Sequence, residues 1–164
     1  MYECPWLAVA RRYIGQREIP GKQNNPLIVR MWERIKQSFR DDETPWCAAF
    51  VGSILELCDI QSTRSAAARS YQSWGVEIDK PIPGCIVVFW RGNPNGYNGH
   101  VGFVTGVTRD GNLIVLGGNQ GDAINEKAFS RDRVVSYRWP LGVPVPSEAL
   151  KPGWKKVELS TNEA

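Results

Sequence analysis

The sequence is poorest in histidine: His100 is the only imidazole in 164 residues. A mechanism that needs an imidazole near neutral pH must use that residue or none, and a zinc site with two histidine ligands is excluded. The four cysteines, Cys4, Cys47, Cys58 and Cys85, form no CxxC pair and have no metal-like spacing with His100, so the chain is neither a zinc ribbon nor a disulfide scaffold. Cys58 and Cys85 lie in apolar runs and read as plain buried thiols. No stretch approaches the ~18 apolar residues of a transmembrane helix. The opening MYECPW has neither the basic nor the apolar region of a secretory signal. The expectation is therefore synthesis in the cytoplasm without a signal peptide and no insertion into a membrane. A strong excess of one charge is also missing. Twenty basic against 17 acidic residues leave +3, too weak a balance to argue for nucleic acid as a partner. With 42% hydrophobic and 23% charged residues, the chain is no disordered polyelectrolyte, and its length suits one domain whose core needs no staples.

What is present divides in two. In Pro5–Glu18, Trp6, Ala10, Tyr13 and Ile14 share a helical face, with Pro5 suited to the first turn. Residues 26–39 repeat the pattern with Ile28, Met31, Trp32, Ile35 and Phe39. An acidic loop, Asp41-Asp42-Glu43-Thr44, precedes the apolar run PWCAAFVGSILEL, a third helix with Thr44 as N-cap and Pro45 in its first turn. Residues 65–74 predict one more short helix, ending at Gly75. After Pro81 the runs become short and β-branched, at 85–90, 101–107, 113–116 and 134–139, with Asp110-Gly111 as a hairpin turn. Helices first and antiparallel strands second predict an α+β fold. Residues 1–140 form the domain, and 141–164 a tail carrying proline and lysine, in which Leu150, Trp154 and Val157 favour docking.

The chemistry gathers at three places. Cys47 falls near the start of the third helix, where free amide N–H groups and the helix dipole favour a thiolate. His100 follows the glycine-rich loop RGNPNGYNGH and opens the strand VGFVTGV, a rigid place from which to aim a side chain. Asn119 follows LIVL and two glycines, and the hairpin between brings it beside His100, where an amide oxygen would orient the ring. The alternatives are bland: a core thiol, a structural histidine and a turn asparagine. A thiolate with an imidazole is the minimal apparatus for covalent acyl transfer.

The segments DDETPWCAAFV, KPIPGCIVVFWRG, GHVGFVTG and LGGNQGDAI together resemble the CHAP-type cysteine, histidine-dependent amidohydrolases/peptidases. These are peptidoglycan hydrolases of the papain-like superfamily that also holds the NlpC-type enzymes. The resemblance spans roughly residues 5 to 140 and is nearest to small single-domain phage and prophage forms. It implies a papain-like fold with N-terminal helices packed on a small antiparallel sheet. It also implies a Cys47 nucleophile, a His100 general base and Asn119 as the orienting third member, in an enzyme that cleaves an amide bond in the peptide part of peptidoglycan. Two departures stand out. Cys85 stands where the family commonly has Asp after Pro-Gly, and Gly117 stands where some relatives carry an acidic residue two places before the Asn. Some relatives also bind calcium upstream of the cysteine. Asp41, Asp42 and Glu43 lack the alternating ligand spacing, so they read as a solvated acidic turn and no cofactor is expected.

Seven tryptophans are many for this length. Trp6, Trp32 and Trp74 sit at helical core positions and read as packing. Trp46, Trp90 and Tyr97 flank the site residues as candidate groove walls, and Arg91 is a candidate partner for a stem-peptide carboxylate. The expected partner is bacterial peptidoglycan, reached in the periplasm or cell wall after holin-type release or injection. An injected antibacterial effector would add an immunity or inhibitor protein. A transglutaminase-like acyltransferase and a non-catalytic wall-binding module are the readings of other classes.

Overall fold

A computed structural model describes residues 4–146 and, as backbone, 159–160. Three α-helices come first: α1 (Pro5–Arg11), α2 (Pro26–Arg34) and α3 (Cys47–Leu57). A 3₁₀ helix at Ala68–Ser73 leads into the strands β1 (Val76–Ile78), β2 (Ile86–Trp90), β3 (Gly99–Val107), β4 (Leu113–Gly117), β5 (Asn125–Phe129) and β6 (Val134–Trp139). These six pair antiparallel. The backbone of β7 (Leu159–Ser160) adds in parallel beside β5, and the described sheet runs β1-β6-β2-β3-β4-β5-β7. The architecture is the expected α+β one. The docking residues foreseen in the tail, Leu150, Trp154 and Val157, lie outside the described residues.

Burial explains the arrangement. Helix α3 is mostly apolar, and Cys47 through Leu55 are all buried, as befits a helix enclosed by the rest of the domain. Gly52 makes this possible: a Cβ there would lie 2.7 Å from Ile35 Cγ2 and 3.1 Å from the Tyr71 hydroxyl. On the sheet side, Phe50 meets Phe103 of β3 edge to face, ring centroids 6.1 Å apart. The sheet curls strongly. Phe129, at the end of β5, lies 5.2 Å from Phe89 of β2, although β3 and β4 separate their strands in the sheet.

Three predicted helices come out shorter or tighter. Helix α1 stops at Arg11, not Glu18, because the backbone beyond it bonds to another segment. Gly15 N–H donates to Ile124 O and Glu18 N–H to Asp122 O, around a bridge between Arg17 and Ala123. Helix α2 ends at Arg34, and Lys36 takes a left-handed φ of 65°. The 65–74 segment forms 3₁₀ turns.

Candidate active site

Helix α3 begins at Cys47 itself, with Trp46 at the N-cap position and no side-chain cap. Thr44 does not cap it because it is turned toward the acidic loop. Its N–H and hydroxyl donate to the Asp41 carboxylate at 2.6 and 3.1 Å. The loop is not a solvated acidic turn either. Asp42 is fully buried, and its Oδ2 accepts from Ile19 N at 2.8 Å and Asn25 N at 2.9 Å. Its Oδ1 has no hydrogen-bond partner. Asp41 and Asp42 are both engaged by backbone amides, and no group of three or more His, Cys, Asp or Glu side chains that could hold a metal gathers among the described residues.

Cys47 is almost wholly buried, and burial pushes its thiol pKa up. The amides of Val101, Ala48 and Cys47 at the sulfur, and the Arg91 guanidinium nearby, pull the other way without overcoming it. The dipole argument for a resting thiolate is thus corrected: desolvation outweighs the helix N-terminus, and the thiol is neutral at rest. The amide of Val101 at the sulfur belongs to the residue after His100, so the head of α3 and the start of β3 meet here.

His100 is completely buried. Its ring packs against both Phe89 and Phe129, with centroids 6.2 and 5.6 Å away, and the three rings form one cluster. Nε2 is 2.9 Å from Gln120 Oε1, and Nδ1 has no hydrogen-bond partner. Burial above all pushes the imidazole down to about 4; the Gln120 bond works against this and the Arg91 charge works with it. The imidazole is neutral at physiological pH.

The hydrogen bond to the ring comes from Gln120, not from its neighbour Asn119. Asn119 is half-buried, with a left-handed φ of 58°, the conformation asparagine tolerates at a turn. Sequence reasoning passed over Gln120, though it is the last letter of the same LGGNQ motif; a chain reversed at Asn119 turns the next side chain inward.

The candidate substrate contacts separate by exposure. Trp46 is fully buried and donates from Nε1 to Glu18 Oε1 at 2.9 Å, so it forms no wall of an open groove. Trp90 is half-buried beneath the Arg133 guanidinium, 5.4 Å from its ring centroid. Arg91 is half-buried and acts electrostatically on both Cys47 and His100. Tyr97 is 75% exposed. The glycine-rich loop carrying these residues is held from beneath by Arg69, which the sequence did not single out. Its guanidinium donates to the carbonyls of Asn93, Asn98 and Pro94.

The family model for the CHAP domain matches residues 39–119, from the acidic loop through β4, and so encloses both Cys47 and His100. The chain carries a CHAP domain. No curated protein matches the chain. The domain points to a hydrolase acting on peptidoglycan, an amidase or peptidase. In this CHAP domain the thiol and the imidazole are both sequestered from water and both neutral at rest. The matched segment stops one residue short of Gln120.

Proposed function

We propose that this CHAP domain hydrolyses an amide bond in the peptide part of peptidoglycan through a Cys47 thioester, with His100 as the base, as a phage or prophage lysin does. The observation that carries the reading is that the head of α3, with its buried thiol, packs on the start of β3, where the buried imidazole has an Nδ1 without a hydrogen-bond partner. His100 Nδ1 takes the thiol proton as sulfur attacks the carbonyl carbon. The N–H groups of Cys47 and Ala48, at the sulfur in the first turn of α3, suit the oxyanion that forms. The imidazolium then protonates the leaving amine, the C–N bond breaks, and water releases the acyl group as a carboxylic acid while the thiol is reprotonated.

Arg91, with its charge bearing on both reacting groups, suits a stem-peptide carboxylate, and Trp90 and Tyr97 suit the flanking chain. The partner is the cell wall. The protein is made in the cytoplasm and acts in the periplasm or wall after holin-type release, with no metal required. Digestion of purified sacculi, followed by mass spectrometry of the muropeptides, tests this. The parent releases fragments whose masses name the cleaved bond, in chelator as well as in calcium. Cys47→Ala loses at least about a thousandfold in rate. Equal digestion by Cys47→Ala would overturn the Cys47 thioester, and sacculi bound but left undigested by the parent would favour a wall-binding module. Cross-linked products in place of new carboxylates would favour acyl transfer to an amine.

A further inference from the structure

Gln120 is buried, and its side-chain amide is clamped at both ends. Its Nε2 faces three oxygens: Val115 O at 3.2 Å, Asn125 O at 2.9 Å and Asn125 Oδ1 at 3.0 Å. Asn125 is itself fixed, because its Nδ2 donates to Gln120 O at 2.8 Å. Turning the Gln120 amide over would set its oxygen against those three acceptors. Oε1 must therefore be the end that faces His100. An oxygen with only lone pairs to offer requires a proton on His100 Nε2, which leaves the lone pair of the neutral ring on Nδ1.

Gly117 leaves the room for this. A Cβ at that position would lie 2.3 Å from Gln120 Oε1, 2.8 Å from Gln120 Cδ and 3.3 Å from His100 Nε2. A side chain growing from β4 and the amide arriving from the turn after it thus compete for one space beside the imidazole. In this chain glycine cedes it. We propose that Gln120 is the positioning residue for His100, holding the neutral ring as its Nε2–H tautomer with Nδ1 free to accept a proton, and that Asn119 contributes the turn and not the hydrogen bond. The link to rate rests on the function proposed above; the tautomer does not.

A single histidine makes the test direct, since any labelled-histidine signal belongs to His100. In ¹⁵N-histidine protein, long-range ¹H–¹⁵N spectra distinguish an Nε2–H from an Nδ1–H ring. The parent and Asn119→Gly, which keeps the left-handed backbone, are expected to show the Nε2–H pattern. Gln120→Leu is expected to lose that preference and about a hundredfold in kcat with little change in KM. Gln120→Glu, which preserves an acceptor and adds charge, is expected to keep the tautomer and to raise the pH at which the ring titrates by a unit or more, about tenfold in proton affinity. It keeps the test open if Gln120→Leu fails to fold. An Nδ1–H ring in the parent, or loss of the pattern in Asn119→Gly, would overturn the assignment. So would a Gln120→Glu titration and spectrum identical to the parent's. A parent with the Nε2–H pattern but no hydrolysis would instead overturn the proposed function alone.

Discussion

At the scale of single residues, the site is governed by desolvation. An exposed Cys–His pair gains by separating charge, whereas this pair lies in the core, and burial dominates the behaviour of both groups. The stability consequence has a definite sign. His100 titrates at about 4 in the fold against an ordinary 6.5, so the unfolded chain binds more protons between those values. Its contribution is complete above pH 6.5 and is lost as pH falls toward 4, at up to about 1.4 kcal/mol per unit. Chemical denaturation between pH 4.5 and 7.5 should show this slope in the parent and a shallower one in His100→Gln; equal slopes would contradict a neutral buried ring. For the same reason, the acid limb of kcat/KM should fall well below pH 6.5, because that limb reports the free enzyme's base. The identities of Cys47 and His100 as candidates were legible in the sequence because they are few in kind and sit at element starts. Their protonation was not, since burial is set by Phe89, Phe129 and the whole of α3, distant in sequence.

At the scale of elements, the long apolar runs behaved as their pattern predicts and the polar ones did not. Strands β2, β4 and β6 fall within a residue of the predicted runs. Strand β5, NEKAF, carries no alternating or β-branched signal; its pairing with β4 makes it a strand. Helix α1 shows the reverse case, a helical pattern abandoned beyond Arg11 for backbone bonds to residues 122–124. The contact of α3 with the residue that follows β4 bears directly on the site. A Cβ at Gly118 would lie 2.7 Å from both Phe50 Cβ and Trp46 Cζ3, and both residues belong to the start of α3. Gly118→Ala should cost about 1–3 kcal/mol and lower activity beyond the loss of folded protein, because any relief displaces Cys47. Gly106→Ala, whose nearest contact is 3.3 Å from the flexible end of Ile114, should cost less. Thermal denaturation with turnover per folded molecule checks both.

At the scale of the whole molecule, the curl of the sheet brings the ends of β2, β3 and β5 together around one ring, and α3 closes the other side. The count of one histidine thus becomes a position at the heart of the domain, and the modest +3 charge suits an anionic wall without calling for nucleic acid. The α+β class was readable from the order of the runs. The closure was not, because it depends on Phe89 meeting Phe129 across the curl. The account as a whole stands on the thioester. Acid-quenched turnover of a soluble muropeptide, followed by intact and peptide mass analysis, should find the acyl fragment attached to the peptide containing Cys47 and absent in Cys47→Ala. An adduct on another residue, or Cys47→Ala turning over at the parent rate, would contradict it.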